Sequence, residues 1–188
     1  MSLTVEVILA SASPRRAELL TQAGFSFTVD AADVDETPLH GEDAATYVAR
    51  VARAKAAAVA PRHAAGALVL AADTTVVIDG DMLAKPGDAA DATRMLSLLS
   101  GRTHDVLTAV VIRRGDLERV EVVATQVTFL DLTPADIAWY VKTGEPDGKA
   151  GAYGIQGRAA RFVDRIEGSW SNVVGLPIAT VWRMVRAL

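Results

Sequence analysis

An α/β fold, a mixed twisted sheet flanked by helices, is what this sequence predicts, and three observations predict it. Strand-like and helix-like segments alternate through the first half of the chain, as βα units do. Two long apolar runs then face each other across Arg114-Gly115-Asp116, which reads as an antiparallel hairpin and makes the sheet mixed. Ser, Arg, Asp, Lys and Gly gather in the segments that follow strands, which places a ligand cleft at one rim of the sheet of a two-lobed molecule.

Taken in order, Val5 to Ala10 (VEVILA) is a buried-strand segment without the basic start of a signal peptide. Ser13 then suits a helix N-cap and Pro14 the first helical position, with helix running on through Ala17 to Gln22 until Gly24 closes it. Phe25 to Val29 offers a second strand, and Ala31 to Gly41 is an acidic loop carrying Asp33, Asp35 and Glu36. From Asp43 as cap, Ala44, Tyr47, Val48, Val51, Ala52 and Ala56 recur at helical spacing until Pro61 stops the run. Lys55 lies on that apolar face or one step off it. Ala67 to Ile78 (ALVLAADTTVVI) is an apolar strand with one ionisable residue, Asp73, and Asp79-Gly80 supplies a turn into Met82 to Pro86. A helix from Asp88 to Leu99 ends at Gly101, and Val106 to Ile112 and Val120 to Phe129 form the hairpin strands. Thr133-Pro134 starts a short helix, Gly144 to Gly157 is a glycine-rich loop, Arg161 to Ile166 a strand, and Pro177 to Leu188 the last helix. No repeat or low-complexity linker interrupts residues 1–188, so a single domain is expected.

Composition excludes several classes of function. With 188 residues, 51% hydrophobic and 22% charged, the chain can bury a core and lacks the make-up of a disordered protein. Zero cysteines remove disulfides, thiolate nucleophiles and Cys-type metal sites, fit a reducing cytoplasm, and leave oxygen or histidine to hold any metal. The longest nearly uncharged apolar stretch, Ala64 to Ala72, is about half of the ~18 residues a membrane-spanning helix requires, so no membrane association is expected. A net charge of -4 argues against a general nucleic-acid binder, and an anionic partner must be met by a local cluster. Of the 19 basic residues only four are lysine, at positions 55, 85, 142 and 149, which draws attention to places where a compact charge is kept in a chain that otherwise uses arginine.

Ser11 to Arg16 sets two hydroxyls, Arg15, Arg16 and the amides of a helix start at the end of a strand, which makes an anion site; the alternative is an ordinary cap with two solvated arginines. An ionised Asp73 inside apolar strand must be hydrogen-bonded, paired or metal-bound, the plainer alternative being a carboxylate that bonds local amides. Glu36 could add a second carboxylate, and two acidic oxygens suit Mg²⁺ or Mn²⁺. Lys55 could equally be a side chain snorkelling over core. Lys85 is held extended before Pro86. In Lys149 to Gly157 three glycines permit close backbone approach, and the Gln156 amide can donate and accept at a base edge. The three histidines are scattered, and no serine sits in a nucleophile elbow.

Six segments in order, LASASPRRAELL (9–20), AADTTVV (71–77), AKP (84–86), LSGRTHDVLTAV (99–110), KAGAYGIQG (149–157) and NVVGLP (172–177), resemble the Maf family over nearly the whole chain. The resemblance implies a Maf/Ham1-like fold, similar to inosine triphosphate pyrophosphatase, and hydrolysis of a nucleoside triphosphate at its α–β phosphate bond with a divalent metal. It implies that Asp73 is the proton acceptor for water, that Ser13, Arg16, Lys55 and Lys85 serve the phosphate site, and that Glu36 is a metal or water ligand, a metal lying on Asp73 and Glu36; Ser11, from the anion-site segment, joins the substrate-binding candidates. Arg15, Thr74 and Gln156 match the branch acting on dTTP and UTP; the 7-methyl-GTP branch has Trp, Gln and Glu there. The family is also known as septum formation inhibitor, so a nucleotide-binding regulator of cell division is the rival reading. Ala84 and Trp170 depart from residues common in relatives. Dimers are common for such folds, but no coiled-coil seam marks one in this sequence.

Overall fold

The computed structural model describes residues 6–188; Met1 to Val5, including the first residue of the expected opening strand, lie outside the described residues. Among the described residues seven strands form one sheet, in the order Phe27–Val29 (β2), Val7–Leu9 (β1), Leu68–Ile78 (β3), Thr103–Arg114 (β5), Leu117–Phe129 (β6) and Val163–Glu167 (β7), with Asp81–Leu83 (β4) paired to β3 off this path. Strands β1 (Val7–Leu9), β2 (Phe27–Val29) and β3 (Leu68–Ile78) are parallel, with Val7 opposite Phe27 and Leu68. Strand β4 (Asp81–Leu83) returns antiparallel to β3 across Asp79-Gly80. Both turn residues have positive φ, 53° and 86°, as a two-residue hairpin of this hand demands, and Asp-Gly is the pair that tolerates it. The sheet is therefore mixed, as expected.

The hairpin strands are longer than their apolar runs. Strand β5 covers Thr103–Arg114 and β6 covers Leu117–Phe129, joined by Gly115-Asp116. Apolar patterning marks only the buried middle of a strand, whereas the ladder also carries polar ends; Thr103 and Thr128, outside and inside the expected runs, share a hydroxyl contact of 2.8 Å. Strand β7 (Val163–Glu167) runs antiparallel to β6 with a bulge between Thr128 and Phe129. It starts later than expected because Arg158–Phe162 coils into a 3₁₀ turn. The glycine-rich stretch likewise holds a 3₁₀ turn at Ala150–Ala152.

The chain divides into two compact units, the first made of residues up to Asp73, 108–123 and 175–188, the second of 74–107 and 124–174. In the first, helix α1 (Pro14–Gln22) follows β1, and helix α2 (Ala44–Val59) is capped by Asp43, whose carboxylate accepts from the amides of Ala45 and Thr46. Pro61 sits in a 3₁₀ turn, Ala60–Arg62, that ends α2. Val48, Val51, Ala52, Ala56 and Val59 make the buried stripe of α2. The C-terminal helix of this unit buries Val181, Met184 and Val185 and keeps Arg183 and Arg186 outside.

The second unit holds α3 (Ala89–Leu99) packed against α4 (Pro134–Val141). Thr133 and Asp136 close α4 with a reciprocal capping box. The five-residue helix α5 (Trp170–Val174), unforeseen in the sequence, precedes the last helix, α6 (Ile178–Arg186). His104, Phe129 and Tyr153 meet edge to face within this unit, as do Tyr140 and Phe162, with ring centroids 4.8 to 5.5 Å apart, and Phe129 lies tilted against Phe162 at 6.3 Å. Among the described residues no helix is long and apolar enough to cross a membrane.

Candidate active site

Asp73 lies on β3, only 6% exposed, in a strand whose hydrophobic residues fill the core. Its Oδ1 is 2.7 Å from Lys55 Nζ. The same ammonium stands 2.6 Å from Glu36 Oε1, so two carboxylates from separate segments converge on one cation. Lys55 does not snorkel. It falls on the apolar face of α2, in step with Val48, Val51 and Ala52, and is 7% exposed; helical spacing carries the charge inward, and the paired carboxylates make burying it tolerable. Glu36 comes from the acidic loop and is held there by Tyr47 of α2, whose hydroxyl donates to the Glu36 carbonyl at 2.9 Å. Burial pushes the Tyr47 phenol up to about 12, and the charges of Asp73 and Glu36 add to the shift, so it stays a hydrogen donor at neutral pH.

The segment after β1 is built differently from an ordinary cap. Ser13 takes the N-cap position of α1, but its side chain makes no capping bond, and its amide donates to Ser11 Oγ at 3.3 Å. Arg16 is not solvated: it is 8% exposed, its Nε donates to the Gly175 carbonyl at 2.8 Å, and its Nη1 donates to the Ala72 carbonyl at 2.8 Å and to Ser11 Oγ at 3.0 Å. Burial lowers the Arg16 pKa, the Asp73 charge counters it, and Arg15 adds to the lowering. Arg16 thus ties two backbone carbonyls, those of Gly175 and of Ala72 next to Asp73, to the Ser11 hydroxyl. Arg15, half-buried, sits in the first turn of α1.

Ser11, Ser13, Arg15, Arg16, Glu36, Lys55 and Asp73 all belong to the first unit; Thr74, Lys85 and Gln156 belong to the second. Thr74 is half-buried on β3, Lys85 is exposed just beyond β4, and Gln156 is exposed between the two 3₁₀ turns. Gly151 needs to be glycine: its φ is 67°, and a Cβ there would come within 2.8 Å of Val76. Lys149 donates to the Glu145 carbonyl within the loop.

Sequence reasoning passed over several residues that organise these regions. Tyr47 reads as one more core position on α2; the signal available was its hydroxyl, which a buried tyrosine must satisfy. Asn172, fully buried, donates to the Val106 carbonyl at 2.9 Å and to Thr125 Oγ1 at 3.0 Å. His104, 2% exposed, has its Nε2 at 2.8 Å from the Tyr153 hydroxyl, and burial holds its pKa down at about 4. Glu145 collects hydrogen bonds from Tyr140, Arg158 and Ala159, and nothing in its glycine-rich surroundings announces that.

No cluster of three or more His, Cys, Asp or Glu residues is assembled among the described residues. Glu36 and Asp73 are hard oxygen donors, the type that Mg²⁺ and Mn²⁺ take, and in this structure the point on which they converge holds the Lys55 ammonium.

Residues 6–188 match the family described as "Maf-like protein". A protein of Myxococcus xanthus named dTTP/UTP pyrophosphatase is 56% identical over 182 residues, spanning 96% of this chain and 92% of its own. Proteins with the same name from Symbiobacterium thermophilum and Koribacter versatilis are 52% and 51% identical, over 96% and 98% of this chain and 92% and 95% of theirs. The solved structure of the Staphylococcus aureus Ham1 protein aligns with a TM-score of 0.49 at 17% identity, covering 67% of this chain and 72% of that one, a likeness too partial to bear on chemistry.

Proposed function

The chain belongs to the Maf family, and from that premise we propose that it is a nucleoside triphosphate pyrophosphatase that cleaves dTTP and UTP between the α and β phosphates, releasing the nucleoside monophosphate and pyrophosphate. The observation that carries this reading is the likeness, above half identity over almost the full length, to proteins named for that activity. Arg15, Thr74 and Gln156 agree with it residue by residue.

The chemistry follows from the converging charges. A water oxygen bonds to the α-phosphorus, the bond from that phosphorus to the α–β bridging oxygen breaks, and the Asp73 carboxylate takes the proton from the water. Lys55, held against both carboxylates, keeps Asp73 and Glu36 in place and supplies positive charge where the triphosphate brings negative charge. Ser11, Ser13, Arg15 and Lys85 are assigned to the phosphates, while the guanidinium of Arg16 fixes the backbone beside Asp73. Glu36 and Asp73 would hold a Mg²⁺ or Mn²⁺ ion, which supplies charge neutralisation on the phosphate oxygens when bound. The exposed Gln156 amide is assigned to the base edge.

A panel of dTTP, UTP, CTP, GTP and 7-methyl-GTP, each with Mg²⁺ or Mn²⁺, tests this reading. Monophosphate and pyrophosphate in equal amounts, fastest from dTTP and UTP, is the expected result; preference for 7-methyl-GTP, or no turnover of any triphosphate, would refute it.

A further inference from the structure

Gln156 lies in irregular backbone between Gly154 and Gly157, the residue type least able to hold one conformation unaided. Reading a base edge by hydrogen bonds needs a donor and acceptor held to a fraction of an ångström. Something must therefore hold that backbone still, and the bonds around Gln156 identify it. On its N-terminal side the Gly154 amide donates to the Tyr140 hydroxyl at 3.2 Å. On its C-terminal side the Arg158 amide donates to Glu145 Oε2 at 3.0 Å and the Ala159 amide to Glu145 Oε1 at 3.4 Å. Tyr140 in turn donates to Glu145 Oε1 at 3.0 Å, so both flanks of Gln156 end on one Tyr140–Glu145 pair.

The pair is anchored. Tyr140 is fully buried in α4, with its ring edge-on to Phe162 at 5.3 Å. The Glu145 carboxylate approaches so near that a Cβ on residue 157 would lie 2.3 Å from Oε1, so a side chain there would displace the carboxylate from its present place. Earlier in the same loop, Tyr153 is tied to His104 and Lys149 to the Glu145 carbonyl. A carboxylate suits the position because three donors point at its two oxygens, and charged acceptors bind amides more strongly than neutral ones.

We infer that Glu145, with Tyr140, is a positioning residue for base selection, fixing the backbone on both sides of Gln156 without touching the nucleotide. The inference rests on the assignment of Gln156 to the base under the proposed function. A glutamine at 145 keeps the volume but offers one acceptor oxygen and turns an NH₂ group toward N–H or O–H donors, so Gln156 loses its fixed orientation.

The test compares UTP with CTP, which differ only at the base edge, as the ratio of kcat/KM values in the full chain with Mg²⁺. Glu145→Gln should lower this ratio about tenfold, the weight of one charge-assisted hydrogen bond. Tyr140→Phe, which removes only a hydroxyl and preserves the packed ring, should lower it about threefold, and decides the matter should Glu145→Gln not fold. Glu145→Gln combined with Gln156→Ala should select no worse than Gln156→Ala alone, because a clamp has no further effect once the clamped group is gone. A merely structural role would reduce turnover of both nucleotides in proportion and leave the ratio intact. An unchanged ratio in the folded single variants, beside a collapsed ratio in Gln156→Ala, overturns the clamp and spares the base reading; a wild-type protein indifferent to UTP and CTP overturns both.

Discussion

The neighbourhood of Asp73 and the loop around Gln156 solve the same problem, holding a polar side chain in place, by opposite means. Around Asp73 charged side chains hold one another: Lys55 on a helix, Asp73 on a strand, and Glu36 on a loop pinned by Tyr47. Around Gln156 side chains hold backbone: amides of an irregular loop end on Tyr140 and Glu145, and a neutral aromatic cluster supports the rest. In the first case the charged groups are themselves the fixed points, Asp73 and Lys55 buried and Glu36 half-buried. In the second the Gln156 amide stays exposed and only the main chain around it is fixed. Under the proposed function the difference suits the tasks, since chemistry on phosphate needs preorganised charge, whereas base selection needs an accessible group at a defined orientation.

The largest effect that would sharpen this comparison belongs to Asp73. Asp73→Asn should lower kcat by about 10³-fold while nucleotide still binds by calorimetry, since a lost general base costs roughly that much. Turnover within a few-fold of wild type would remove Asp73 as proton acceptor. Lys55→Met leaves two buried or half-buried carboxylates facing each other and should cost about 3 kcal/mol of stability by urea unfolding, the order found when one partner of a buried ion pair is deleted. A loss below 1 kcal/mol would mean that the charges around Asp73 do not depend on each other.

In the aromatic cluster the decisive group is His104. Its folded pKa is held at about 4 by burial, below the ordinary 6.5, so between those values the unfolded chain binds a proton that the folded chain refuses. Stability is then complete above pH 6.5 and falls as pH drops toward 4, by about 3 kcal/mol. In His104→Gln the part of the pH dependence lying between 6.5 and 4 should vanish; an unchanged profile would locate the acid sensitivity elsewhere. Smaller still, Gln156→Glu should reduce the preference for UTP about tenfold with little change in the unfolding midpoint, as expected of an exposed side chain. The exposed pair Arg53–Glu118, 3.1 Å apart on the first unit, gives the floor: Arg53→Ala should shift stability by less than about 0.5 kcal/mol.

Much of the first region is legible in the sequence because its signals are local. An aspartate inside ALVLAADTTVVI announces a buried charge, Lys55 repeats with the apolar stripe of α2, and Asp43 and Pro61 bound that helix by backbone chemistry that needs no tertiary partner. Asp79-Gly80 fixes its hairpin for the same reason. What the sequence hides are pairings across long separations. Arg16 reads as a phosphate ligand beside Arg15, and only the fold brings Gly175 and Ala72 against its guanidinium. The polar ends of β5 and β6 lack periodicity and become strand because a neighbour offers a ladder. Glu145 is an acid among glycines until Arg158 and Ala159 return to it.

The central claim, that water attacks the α-phosphorus in a step initiated by Asp73, is tested most directly by hydrolysing UTP in ¹⁸O-labelled water and locating the label by mass spectrometry. Attack at the α-phosphorus places ¹⁸O in UMP and none in pyrophosphate, and Asp73→Asn forms both about 10³-fold more slowly. Label in pyrophosphate, or UDP and single phosphate as products, would contradict it.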